Sequence, residues 1–297
     1  MSKDLRGFYD NLISRALADG SFPSRKGGSG RPDSTAWAVL ALQAGREGGD
    51  LVEPARRYLC SVQGQDGRMP VHPDHPEAYW PTAPSILAWL GAPAAKPCLD
   101  RAVEFLLNHT GVHWKRRPED FVEHDTAIRG WPWIGGCHSW VEPTALGILA
   151  LRLAGHGQHP RVEEAVRMLV NRQIAGGGWN YGNTFVFGRQ LRPMPESTGL
   201  ALVALQGLVA RREIEPSLEY LRTCIPSSRS PLALSWALLG LGAWGESLPA
   251  SDGLICGALA RQKEVGTYDT EGLSLLLLAS NARQGLSAFP PSMQARS

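Results

Sequence analysis

The sequence predicts an all-α fold, an α/α toroid (α6/α6 barrel) of about six helical hairpins, with residues 1–297 as one domain. Three observations predict it. Apolar residues recur with helical period almost everywhere, with no convincing strand segment. The helical segments fall into pairs, and the two members of a pair differ in kind. The first is apolar along one stripe, as in Leu51–Gln63, Cys98–His109, Arg161–Gln173 and Ser251–Gln262, which fits an outer helix with a solvated face. The second is apolar on nearly every face and must be enclosed by protein: STAWAVLALQAG, PTAPSILAWLGA, PTALGILALRLAG, STGLALVALQGL, PLALSWALLGLGAWG and TEGLSLLLLAS. An inner ring of enclosed helices inside an outer ring satisfies both. An open solenoid would need polar capping repeats, yet the last inner segment is as apolar as the middle ones.

Taken in order, the chain begins with an amphipathic helix in MSKDLRGFYDNLISRAL, whose stripe is Leu5, Phe8, Leu12 and Ala16. It lacks the apolar core of a signal peptide. The hairpin loops then repeat. LCSVQGQDGRM (59–69) and LVNRQIAGGGW (169–179) share a helix end, a glutamine, a glycine turn and a large side chain; ADGSF and EVGTY are shorter versions. Glycine closes such helix ends in the left-handed region, and the bulky residue folds back onto its hairpin. Two connections are much longer, Thr110–Trp140 and Ala175–Pro195. Ordered loops of that length are commonly functional.

A net charge of +2 lacks the clustered positive field of a nucleic-acid binder. No run approaches the roughly 18 apolar residues of a membrane span, so membrane contact would be peripheral. The five cysteines, Cys60, Cys98, Cys137, Cys224 and Cys256, are odd in number and isolated, which points to reduced thiols and a cytoplasmic location.

The loop strings Gln63–Met69 and Gln173–Trp179, with the helix openings PDSTAW (32–37), VEPTAL (141–146) and PESTGL (195–200), resemble the repeat of the squalene/terpenoid cyclase and protein prenyltransferase group. The resemblance covers essentially the whole chain and is specific for architecture. It implies a central apolar cavity, a hydrophobic isoprenoid substrate and acid-initiated cyclisation or isomerisation. The group's acid run, Asp-x-Asp-Asp before Thr-Ala, is absent. Its nearest counterpart is VEHDTA (122–127), which places His124 where the proton donor would stand. The prenyltransferase zinc pattern is missing too, because no inner-helix opening has a cysteine two residues after its acid. The adjacent Cys137-His138 pair resembles that of lanthionine cyclases, but Cys60 and Cys224 lie outside comparable loops. No metal site is assigned, and the cofactor stays open, magnesium and zinc included.

If the inner helices start at one rim, Asp33, Thr82, Glu142, Glu196 and Asp269 surround one mouth. Desolvated carboxyls there would serve as general acids or bases, whereas ordinary helix capping would explain the same residues. Glu142 is the first candidate acid, since it follows the aromatic stretch GWPWIGGCHSWVEPT; Asp125 and His124 are the second. Trp80, Trp131, Trp133, Trp140, Trp179 and Tyr181 are the candidate substrate-binding aromatics, beside the carboxylates Asp33, Glu196 and Asp269. Arg129, Arg189 and Arg192, in the long loops, would meet a diphosphate or carboxylate. A polysaccharide lyase or glycoside hydrolase on the same architecture fits His113, His124, Arg129 and the indoles, and a non-catalytic binding module fits a filled cavity. An isoprenoid enzyme needs a closed apolar chamber, a carbohydrate enzyme an open groove with exposed indoles.

Overall fold

The computed structural model describes residues 5–246, 248 and 250–289. In chain order its α-helices are α1 (Arg6–Ile13), α2 (Pro32–Gly45), α3 (Gly49–Val62), α4 (Thr82–Trp89), α5 (Lys96–Asn108), α6 (Val141–Leu151), α7 (Pro160–Asn171), α8 (Pro195–Leu205), α9 (Arg211–Cys224), α10 (Pro231–Ala243), α11 (Ser251–Ala260), α12 (Gln262–Val265) and α13 (Thr270–Ala279). The segments apolar on all faces become α2, α4, α6, α8, α10 and α13. Each packs on the next, and α13 returns to α2, so the inner ring is closed. The one-sided helices line the outside: α3 against α2 and α4, α5 against α4, α7 against α6, α9 against α8, α11 against α10 and α13, and α1 against α13. The chain is an α/α toroid.

Hydrogen bonds latch the ring where the chain meets itself. The Thr270 backbone N–H donates to Ser24 O at 2.8 Å, and its hydroxyl donates to Pro23 O at 2.5 Å. Arg15, 5 % exposed, donates to Thr270 Oγ1 and to Tyr268 O.

One local device recurs at the start of inner helices. The hydroxyls of Thr35, Thr82, Thr144 and Thr198 each accept, at 2.9 Å, from the backbone N–H of a bulky residue in the preceding loop: Phe22, Met69, Trp131 and Trp179. These four bulky side chains are essentially fully buried. After three of them the chain makes an excursion and returns, with Arg31, Trp140 and Met194 donating back to the carbonyls of Phe22, Trp131 and Trp179. The excursions therefore share one end of the ring.

The loop glutamines tie successive hairpins together. Gln63 Nε2 donates to Cys98 O, and Gln173 Nε2 to Glu213 O and Ser217 Oγ, all in the first two turns of the next outer helices. Gly67 and Gly177 must be glycine on two counts. Their φ angles are +92° and +93°, and a Cβ would stand 2.1 Å from Arg101 O or 2.4 Å from Pro216 O.

Two sequence expectations are corrected. A two-residue antiparallel ladder, Phe185–Val186 with Arg189–Gln190, interrupts the second long loop, because Phe187 and Gly188 both take positive φ as a tight hairpin turn requires. The five cysteines are not all isolated thiols: Cys60 of α3 and Cys98 of α5 form a disulfide, their Cα atoms 5.8 Å apart. They are 38 residues apart in sequence, and only the packing of α3 and α5 around α4 brings them together. No helix among the described residues is long and apolar enough to cross a membrane.

The ring is filled. Trp37 of α2 and Trp236 of α10 meet edge to face at 5.6 Å, although α13 separates their helices around the ring. Among the least buried side chains in the bodies of the inner helices, Leu146 is 6 % exposed, Ala83 5 % and Trp236 4 %. A chamber for a long isoprenoid would leave several such walls bare.

Candidate functional site

The second residue of an inner helix stands at the rim just above this filled core. Asp33, Glu142, Glu196 and Glu271 hold that position in α2, α6, α8 and α13, and Leu232 holds it in α10. In the remaining inner helix, α4, the shared threonine is Thr82, and counting back from it puts Trp80 where α2, α6 and α8 carry an acid. Asp269 falls two residues before this register. It is the N-cap of α13, its carboxylate accepting from Gly272 N at 2.8 Å, while Glu271 two residues on enters the rim. Thr82 likewise belongs to the threonine device and not to the acid set. The signal for Glu271 was present in the Asp-Thr-Glu string, read as a cap followed by the first two helical residues.

The rim carboxylates form two groups. Asp33 is clamped by Arg31, with contacts of 3.0 and 2.7 Å, beside Glu271 and Asp269. Glu142 accepts the Ser197 hydroxyl at 3.0 Å, and Glu196, the neighbour of Ser197, accepts the Tyr181 phenol at 3.1 Å. Glu142 and Glu196 are thus held by side chains of adjacent elements rather than by helix-end amides. Simple capping does not account for them.

Burial raises the Glu142 carboxyl from its ordinary range to about 7, partly offset by the Ser197 hydrogen bond and reinforced by the charge of Glu196. Burial also raises Glu271 to about 7, with Asp33, Asp269 and Glu142 adding repulsion. The last contribution places Glu142 and Glu271 within electrostatic reach across the mouth. Near neutral pH the Glu142 and Glu271 carboxyls therefore keep a substantial protonated fraction.

Indoles stand in the loops just before the inner-helix openings. Trp80 and Trp133 meet edge to face at 6.0 Å, and Trp140 stacks on the His138 ring at 4.6 Å. All are half-buried, and Tyr181 is 42 % exposed. Trp131 and Trp179 do not belong with them. They are fully buried, and their indole N–H groups donate to Leu106 O and Leu169 O of the outer helices α5 and α7, with the Arg161 guanidinium 4.0 Å over the Trp131 ring. They are the packed floor of the loops and offer no surface to a ligand.

The remaining candidates separate. Arg129 is paired with Glu164 of α7 at 2.9 Å, on the outer side. Asp125 is exposed and accepts from Ala127 N, which fixes a turn. His124 is buried, and burial together with Arg172, His138 and Arg116 depresses its protonation to about 3. It is neutral, and the loop that carries it is tied to the end of α7, where Asp125 N donates to Asn171 Oδ1 at 3.1 Å. Arg189 and Arg192 are exposed in the second long loop. The two loops are zipped to each other by a bridge between Val122 and Val186, by Phe187 N donating to Phe121 O, and by the stacked Phe121 and Phe187 rings. No group of His, Cys, Asp and Glu among the described residues is arranged to hold a metal ion.

No family model and no curated protein matches this chain. Solved structures do. A protein from Actinoplanes is 22 % identical, the match covering 96 % of this chain and 99 % of that one at a TM-score of 0.63. An α-amylase from Clostridium perfringens is 12 % identical, covering 94 % and 97 % at a TM-score of 0.66. A variant of the type II terpene cyclase MstE from Scytonema, in complex with geranylgeranyl dihydroxybenzoate, is 12 % identical, covering 97 % and 98 % at a TM-score of 0.62. At these identities the likeness is one of fold, and the α/α toroid seen here is a scaffold shared with proteins acting on sugars and on isoprenoids alike.

Proposed function

We propose that the rim is the active site of an enzyme that cleaves or transfers a carbon–oxygen bond of a polyhydroxylated substrate, a glycoside being the best fit. Glu142 is the general acid. The carboxylate of Glu196 is its partner, held by Tyr181, and would activate water or attack the carbon from which the leaving oxygen departs. Trp80, Trp133 and Trp140 are the platforms on which sugar rings stack.

The observation that carries this reading is the Glu142 carboxyl raised to about 7 in a half-open, indole-lined rim above a filled ring. A weak acid, protonated at neutral pH, suits a glycosidic oxygen, which has lone pairs to receive the proton. An alkene is a far poorer base and asks for a stronger acid. Isoprenoid cyclisation also asks for an enclosed chamber, and the filled ring weighs against it.

The test is reducing-sugar release from a panel of polysaccharides, followed by Glu142→Gln on the best substrate. The variant keeps the shape and the Ser197 contact while removing the proton. We expect kcat to fall by about 10²–10⁴-fold. Undiminished turnover in the variant would exclude Glu142 as the acid, and cyclised products from a linear polyprenyl substrate would overturn the substrate class.

A further inference from the structure

Beside the rim lies a buried guanidinium with too few partners. Arg172, at the C-terminal end of α7, is 3 % exposed, and its Nη1 donates to Gly182 O. Its Nε has no partner. His124 is 5 % exposed, and its Nδ1 has no partner either. Other arginines are partnered more fully: half-buried Arg152 donates to Ala204 O and Gln206 O, and buried Arg56 to Ala88 O, Leu90 O and Glu53. Among the described residues no carboxylate lies within ion-pair distance of Arg172; the charge that reaches it is that of Asp125, whose Oδ1 already accepts from Ala127 N. A buried cation with an orphaned donor is costly unless an anion or water completes it.

The neighbourhood favours an anion. Arg172, His138 and Arg116 stand close enough to act on His124, and the charges that reach it are all those of nitrogen groups. This neighbourhood adjoins the rim directly. Gly182, which accepts from Arg172, lies against the Trp140 ring, and His138 stacks on that same indole. Trp140 is the residue before α6, two positions from Glu142.

We propose that Arg172 and His124, with His138 at the outer edge, form a subsite for a compact oxyanion, and that the substrate of the rim carries a carboxylate or phosphate group that docks there. The guanidinium Nε–H and an imidazole N–H on Nδ1 would both donate to its oxygens. The inference rests on the acid–base reading only for the body of the substrate. The oxyanion subsite itself does not depend on catalysis.

Titration of protein labelled with ¹⁵N-histidine tests it, using digalacturonate, glucose 6-phosphate, inorganic phosphate and neutral maltose as probes. We expect saturable shifts of the His124 ring nitrogens with at least one acidic sugar, none with maltose, and at least a tenfold weaker affinity in Arg172→Gln. If Arg172→Gln fails to fold, His124→Asn read at the His138 resonances gives the same comparison. Absence of any saturable shift, equal shifts with maltose, or undiminished affinity in the variants would overturn the subsite. Binding of inorganic phosphate without either acidic sugar would overturn the substrate assignment. Glu142→Gln is expected to bind the oxyanion like the parent protein. An active Glu142→Gln protein with intact binding would sink the acid assignment alone, whereas lost binding in a catalytically competent parent would sink the subsite alone.

Discussion

A single carboxyl carries most of the functional reading, and its energetics can be checked apart from any substrate. Glu142 is raised to about 7 from an ordinary 4.5, so between these values the unfolded chain releases a proton that the folded chain keeps. Its contribution to stability is fully present below about pH 4.5 and is lost as pH rises through 7. Glu271 acts in the same direction over the same window. We expect denaturant midpoints to decline from pH 5 to pH 8, and Glu142→Gln to be more stable than the parent at pH 8 by about 1–3 kcal/mol. A variant less stable than the parent at pH 8 would mean that the ionised carboxylate is welcome at the rim. Glu142 was legible in the sequence because it follows an aromatic excess. The orphaned Nε of Arg172 was not, since nothing in the string VNRQI distinguishes a saturated arginine from an unsaturated one.

Helices and loops were read more easily than their registers. Two classes of apolar pattern separate inner from outer helices because enclosure removes the need for a polar face, and that much is written in PLALSWALLGLGAWG against RREIEPSLEYLRTC. The role of the bulky loop residues was half legible. Trp131 and Trp179 look like ligand platforms in the sequence, but the threonine device draws their backbones inward and the outer-helix carbonyls take their indole N–H groups. Trp80 and Trp140, two residues or fewer before the helix openings, stay at the surface. The glycine turns test this arrangement. Gly177→Ala places a Cβ against the Pro216 backbone at a positive φ, and we expect a loss of about 1–3 kcal/mol or more in urea unfolding. Gly176→Ala, with open space around it, should lose no more than a few tenths from contacts.

The molecule as a whole is a ring, and a ring can be opened at its seam. Thr270 joins α13 to the loop before α2, supported by the buried Arg15. Thr270→Val removes the hydroxyl while keeping the shape, and we expect a cost of about 1–2 kcal/mol, with faster amide exchange on both sides of the seam, in α1, α2 and α13. Uniform exchange across the ring would show that the seam is no weaker than the other helix contacts. The Cys60–Cys98 disulfide, invisible in the sequence because its cysteines lie on different outer helices, predicts two fewer reactive thiols in the native protein than after reduction. An equal count would show the pair reduced. The inner-ring packing likewise lay beyond pattern: the apolar segments foretold enclosure, but not that Trp37 and Trp236 would meet inside the ring.

The most direct test is the titration of the Glu142 side-chain carboxyl by ¹³C NMR, assigned by the signal lost in Glu142→Gln. The rim described here predicts a midpoint near 7, well above its ordinary 4.5, and a further rise when a neutral sugar oligomer displaces water from the indoles. A midpoint in the ordinary carboxylate range would contradict an acid poised for general catalysis at this rim.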